Sequence, residues 1–215
     1  MKDKLLTIFN KMHNHFGDLH WWPADTPFEV IIGAILTQNT AWTNVEKAIA
    51  NLKNSRLMDY AGLKTAKEEE LSPLIRPAGY YNQKAKKIKN FIRFLEQDYT
   101  GDLDGLKKES LGVAREKLLK VHGVGPETAD SILLYALEKP IFVVDAYTKR
   151  IFSRHGFLPQ MADYHFVQDF FMEHLPQDVK LFNEYHAQIV YTGKNFCRSK
   201  QMCEGCPLGI LKGEG

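Results

Sequence analysis

The stretch Leu118 to Leu137, LLKVHGVGPETADSILLYAL, decides how this chain is read. Its first residues finish one helix, His122-Gly123-Val124-Gly125 makes a tight turn, and Pro126 opens a second helix. Proline suits that first position because the missing N–H has no partner there and φ is already helical. Two glycines bracketing one apolar residue let the backbone reach positive φ. Such a turn exposes amides at a helix N-terminus, where the helix dipole also favours negative charge, so it can hold a phosphate. These residues alone leave two readings open, a phosphate-binding turn and a plain connection between helices.

Outward from this segment the apolar residues keep recurring with helical period. Leu5, Ile8, Phe9 and Met12 form one stripe, and Phe28, Ile31, Ile32, Ile35 and Leu36 form another that is apolar on most sides. The first spacing predicts an amphipathic helix and the second a buried one. Further helices are predicted over residues 43–52, 68–75, 83–97, 110–119, 126–137, 146–155, 164–174 and 179–191, separated by Gly and Pro breakers. Ile141 to Asp145, IFVVD, is the nearest approach to a strand and is too short for a sheet. The fold class predicted is all-α, in two helical lobes. Residues 1–54 with 140–215 are expected to form one lobe, ending in a cysteine-containing loop. Residues 55–139 are expected to form the other, ending in the hairpin.

Composition excludes several classes of protein. With 44% hydrophobic and 25% charged residues the chain has an ordinary globular balance, and no run approaches the roughly 20 apolar residues of a membrane span. The opening MKDKLLTIFNKMHNHF lacks a signal-peptide core, so an intracellular, cytoplasmic protein is expected. The net charge of +2 hides a local asymmetry, because Arg76 to Arg93 carries six cations and no acid. That stretch reads either as a polyanion footprint or as a solvated helix face. Cys197, Cys203 and Cys206 lie within ten residues of one another. Clustered thiols in an intracellular chain point to metal or cluster ligation before disulfides.

Taken in order, these motifs resemble the helix-hairpin-helix (HhH-GPD) DNA glycosylase superfamily typified by endonuclease III. Phe28-Glu29 to Leu36-Thr37-Gln38-Asn39-Thr40 is similar to its early buried helix and wedge loop, and Gly79-Tyr80-Tyr81-Asn82-Gln83-Lys84-Ala85 to its basic helix entry. Val121 to Gly125 matches the hairpin, Val143-Val144-Asp145 the segment bearing the catalytic aspartate, and Cys197 to Cys206 the cluster loop. The resemblance implies two lobes with the active-site cleft between them, and damaged double-stranded DNA as the partner of a monomer. It further implies that His122, Gly123, Val124, Gly125 and Thr128 of the hairpin, with Lys84, bind DNA, and that Gln38 fills the gap left by the flipped base. Where bifunctional members carry a lysine nucleophile, this chain has Pro126-Glu127. A carboxylate cannot form the Schiff base that leads to strand cleavage.

Asp145 is then the expected catalytic residue: breaking an N-glycosidic bond develops positive charge on the sugar, which a fixed carboxylate stabilises. Read without the resemblance, Asp145 is a helix N-cap for Ala146 onward, worth about 1 kcal/mol. Trp21-Trp22-Pro23 and Trp42 resemble the subgroup that excises 3-methyladenine, where aromatic residues and a proline sandwich the base. Purines alkylated at N3 or N7 carry a formal positive charge, and indole faces attract cations by roughly 0.5 to 2 kcal/mol. The chain departs from that subgroup in two places: Gln188 stands where some members have a lysine, and cluster cysteines are retained. Three of the four cysteines of the cluster pattern, Cys197, Cys203 and Cys206, are present. A [4Fe-4S] cluster is therefore implied only in degenerate form, with no cofactor required for catalysis. The function expected is a monofunctional DNA N-glycosylase for alkylated purines. The alternatives are an endonuclease III-like glycosylase for oxidised pyrimidines, with or without lyase activity, and a non-catalytic hairpin module.

Overall fold

The computed structural model describes residues 1–209. In chain order the helices are α1 (Lys2–Phe16), α2 (Pro27–Leu36), α3 (Trp42–Asn54), α4 (Tyr60–Thr65), α5 (Glu68–Leu74), α6 (Tyr81–Tyr99), α7 (Leu103–Lys108), α8 (Leu111–Lys120), α9 (Pro126–Ser131), α10 (Ala146–Arg154), α11 (Tyr164–His174) and α12 (Val179–Asn195). A short 3-10 turn (Arg76–Ala78) precedes α6, and α9 runs on into a π-helical stretch (Ile132–Ala136). No strand forms among the described residues, so the all-α expectation holds. No helix among them is long and apolar enough to cross a membrane.

Two compact units are present, Met1–Trp22 with the chain from Pro140 on, and Pro23–Lys139. Residues 23–54, which the sequence reading groups with the termini, belong here to the middle unit. The cause is α2: Val30, Ile31, Ile32, Ala34, Ile35 and Leu36 are all buried, and the helix packs on α3, α6, α9 and the π-helical stretch. Thr26 caps it by accepting from the Glu29 N–H, and the Glu29 carboxylate meets Lys53 at 2.8 Å. On the next layer Arg115 of α8 grips Asp130 of α9 through two bonds, Nε to Oδ1 at 2.7 Å and Nη2 to Oδ2 at 3.1 Å. This ties together the two helices on either side of the hairpin turn.

The terminal unit is built around aromatic residues. Phe142 stacks on Phe171 with centroids 4.0 Å apart, and Phe152, Phe182 and Tyr185 complete the cluster. The buried Tyr185 hydroxyl donates to the Leu5 carbonyl at 2.8 Å, fastening α1 to α12. Ile141 to Val144 are buried but pair with no strand. Side chains of α11 and the residue that opens it satisfy this backbone instead: Gln168 donates to the Phe142 carbonyl at 2.8 Å, Met172 Sδ receives the Phe142 N–H, and Tyr164 Oη the Val144 N–H. Buried backbone groups need such partners. The result is a rigid lead-in that delivers Asp145 to the start of α10.

Candidate active site

In the middle unit the hairpin turn has the conformation its glycines imply. Gly123 has φ +96°, and a Cβ there would stand 2.4 Å from Lys87 Cγ, so the lysine stem lies against the turn. Val121 and Val124 are buried anchors, and the Val124 N–H closes the turn on the Val121 carbonyl at 3.0 Å. His122 and Gly125 face solvent. Asn90 of α6 braces the turn from outside by donating to the His122 carbonyl at 3.0 Å. His122 also lines an open groove with Arg93 and Lys120, a surface suited to phosphates.

Gln38, just past α2, is drawn onto this turn. Its Nε2 donates to the Gly123 carbonyl at 3.2 Å and to Thr128 Oγ1 at 2.9 Å, while Lys87 donates to its Oε1. Two expected DNA-binding side chains therefore sit elsewhere than the sequence suggested. Thr128 is 7% exposed, and its hydroxyl holds Gln38 rather than facing outward. Lys84 is 2% exposed and donates to the Leu36 carbonyl at 2.8 Å and the Ala78 carbonyl at 2.7 Å. An ammonium suits the carbonyl end of a helix, so Lys84 serves as the C-terminal cap of α2; burial lowers its pKa to about 8. Lys89 does the same for α4 through the carbonyls of Leu63, Lys64 and Ala66. The basic stretch is thus partly internal, leaving Arg76, Lys86, Lys87 and Arg93 of its six cations outside these two caps.

In the terminal unit Asp145 is the N-cap of α10. Its Oδ1 accepts from the Thr148 N–H at 2.7 Å and the Thr148 hydroxyl at 2.9 Å. Oδ2 lies 3.7 Å from His186 Nε2 on α12, and both side chains are nearly buried. Burial pushes the Asp145 carboxyl upward, yet His186 and the Thr148 donors outweigh it and hold it below the usual carboxylate value. The cap fixes one oxygen and leaves the other for chemistry, so the capping and catalytic readings are compatible. His186 carries no local sequence signal of this role. The pair forms because α10 and α12 come unusually close: a Cβ on Gly193 would be 2.2 Å from Tyr147 Cδ1.

Next to Asp145, an open groove is lined by Ala146, Tyr147, Arg150, Lys194 and Arg198. Lys194 Nζ also stands 5.8 Å from the Trp21 ring centroid, and Trp21 packs edge-on against Trp22 and Tyr191. Trp21 and Trp22 belong to the terminal unit; Pro23 and Trp42, the latter at the first position of α3, belong to the middle unit. Gln188 is fully buried and donates to the Gly17 carbonyl and to Glu184, both at 2.7 Å. The cysteines are free thiols, Cys197 buried, Cys203 exposed and Cys206 between.

Residues 32–177, more than half of the chain, match the HhH-GPD superfamily base excision DNA repair protein family. A Methanocaldococcus jannaschii protein provisionally named as a DNA repair glycosylase is 47% identical over 208 residues, covering 96% of this chain and 94% of its own. Endonuclease III of Thermotoga maritima is 33% identical over 183 residues, covering 85% of this chain and 80% of its own. Among solved structures, H. pylori 3-methyladenine DNA glycosylase bound to 1,N6-ethenoadenine superposes with a TM-score of 0.76 at 27% identity, over 89% of this chain and 96% of that one. With a glycine-built hairpin and an aspartate capping the helix after it, the chain belongs to the HhH-GPD superfamily of base excision DNA repair proteins.

Proposed function

We propose that this DNA repair glycosylase is monofunctional, acts as a monomer on double-stranded DNA, and excises alkylated purines such as 3-methyladenine. The observation that carries the reading is Asp145, a carboxylate fixed through one oxygen and kept ionised, which suits stabilisation of an oxocarbenium-like sugar and orientation of a water. Glu127, exposed in the first turn of α9, stands where strand-cleaving members place their lysine, so hydrolysis needs no covalent step. The hairpin amides and His122 hold phosphates flanking the lesion. We assign base recognition in the terminal unit to Trp21 and Trp22. The Trp21 face already attracts an ammonium, as it would a cationic base, and the likeness to the H. pylori enzyme supports the same substrate class.

A second reading is favoured by the 33% identity with T. maritima endonuclease III: a glycosylase for oxidised pyrimidines. Release of free base from duplexes carrying 3-methyladenine, 7-methylguanine or an oxidised pyrimidine, followed by borohydride trapping, separates the two. Methylpurine release without a trapped adduct is the expected result. Oxidised-pyrimidine release with a trapped adduct would overturn it and would require another amine to act as the nucleophile.

A further inference from the structure

One lysine of α6 touches both the hairpin turn and Gln38. The Lys87 stem lies so close to the turn that a Cβ on Gly123 would stand 2.4 Å from its Cγ and 2.9 Å from its Cδ. Beyond the turn, its ammonium donates to the Gln38 amide oxygen. Gln38 itself donates to the Gly123 carbonyl at 3.2 Å and to Thr128 Oγ1 at 2.9 Å. Both N–H bonds and the oxygen of that amide are therefore taken up by the hairpin and its lysine. One helical turn further along α6, Asn90 donates to the His122 carbonyl at 3.0 Å, a second brace that holds the turn independently of Lys87.

Gln38 cannot reach into a duplex while its amide is bound to the turn. The charge that holds it there is poorly matched. Lys87 meets a neutral amide and the buried Lys84 two neutral carbonyls, and burial, followed by the charge of Lys87, lowers the Lys84 pKa. A phosphate oxygen offers the Lys87 ammonium an opposite charge as well as a hydrogen bond, which an amide does not. We propose that Lys87 is a positioning residue that couples phosphate binding at the hairpin to the release of Gln38. In the free protein it holds Gln38 folded back on the turn. When a DNA phosphate reaches Gly123, the ammonium moves to that phosphate and the Gln38 side chain swings out to fill the gap left by the flipped base. This holds for a glycosylase that flips its target base, the reading on which it rests. Undamaged duplex supplies the phosphate without the gap, so there the broken Lys87–Gln38 bond is a cost that nothing offsets.

Binding of the full chain to an undamaged duplex, and to one carrying a tetrahydrofuran abasic site whose gap is present whichever base the enzyme excises, supplies the test. Lys87→Met should bind both duplexes less tightly, with a salt dependence shallower by about 0.9. Gln38→Ala should bind the abasic duplex less tightly, because nothing fills the gap. It should bind the undamaged duplex about 2- to 10-fold more tightly, because the Lys87 ammonium is already free for phosphate. That gain should vanish when Gln38→Ala is combined with Lys87→Met. Any loosening of the turn by Gln38→Ala is common to both backgrounds, so the ratio of its two effects reports Lys87 alone. Lys87→Gln, a neutral donor that can still hold Gln38, serves for the same comparison if the methionine variant folds poorly. An equal effect of Gln38→Ala with and without Lys87 overturns the coupling, while base release measured on the same proteins tests the glycosylase reading separately. Unchanged affinity of Gln38→Ala for the abasic duplex overturns the release of Gln38 into the gap, whatever Lys87 does on undamaged DNA.

Discussion

His186 Nε2 lies 3.7 Å from Asp145 Oδ2, and this contact reverses what burial does to the carboxyl. Burial alone would favour the protonated acid; the imidazole and the Thr148 donors keep it ionised. Replacing His186 with Asn should therefore let the Asp145 pKa rise and move the acid limb of single-turnover base excision to higher pH, while DNA affinity at neutral pH stays unchanged. A carboxyl lowered from 3.8 contributes stability above that pH, and the contribution disappears as pH falls through the folded value. The variant should accordingly lose part of the wild type's acid denaturation slope. An unmoved acid limb would show that His186 merely fills space.

Asp145→Asn keeps the cap, because an amide oxygen accepts from the Thr148 N–H almost as well as a carboxylate. It removes the negative charge that stabilises the developing cation. Base release should fall on the order of a hundred- to a thousand-fold, with thermal stability and duplex affinity close to wild type. Asp145→Ala should show the same loss of turnover plus about 1 kcal/mol of instability. If Asn retains wild-type turnover, Asp145 is a cap and nothing more.

Trp21→Ala and Trp22→Ala should each weaken excision of a cationic base about 2- to 30-fold, the range that 0.5 to 2 kcal/mol of cation–π attraction allows. Binding of undamaged duplex should change little. Comparing 7-methylguanine with a neutral lesion under single turnover gives the ratio directly. Equal losses on both substrates would remove the case for recognition of positive charge.

What could be read in the sequence was local. Gly123, Gly125 and Pro126 specify their turn through φ preference alone, and Asp145 after an apolar run marks a helix start; both appear where the residues place them. The α2 helix was legible as buried, but its neighbours were not, which is why residues 23–54 were expected in the other lobe. Lys84 looked like a surface cation because a basic run carries no sign of which ammonium meets the open carbonyls of another helix. His186 could not be paired with Asp145 before the close approach at Gly193 was known. Short α4 and α7 escaped notice because six residues hold too few turns to show a period.

Gly123→Ala tests the turn itself. Its φ of +96° is unfavourable for a side chain, and the added Cβ would press on the Lys87 stem that reaches Gln38. The strain is about 1 to 2 kcal/mol. The variant should unfold at lower urea, and if it remains folded at the assay temperature it should bind duplex less tightly, with a shallower dependence on salt because fewer phosphates are held. Undiminished affinity and salt slope would mean that the turn does not contact the backbone.

Lys84 offers a test by pH. Its pKa of about 8 in the folded protein lies below the 10.5 of the unfolded chain, so between those values the unfolded state binds more protons and stability rises with pH. The lowered pKa of Lys89 adds a contribution of the same sign. Lys84→Met removes the ammonium and leaves the Leu36 and Ala78 carbonyls without their donor, a cost of about 1 to 3 kcal/mol for each unsatisfied group. Below pH 8 part of that cost is offset, because the variant no longer keeps a charge out of water. The loss of stability on substitution should thus be larger at pH 9.5 than at pH 7, and the variant's own stability should climb less steeply over that range. Urea unfolding at several pH values measures both. A difference between wild type and variant that is constant across the range would place the Lys84 ammonium in contact with water, and with it restore this residue to the surface that meets DNA.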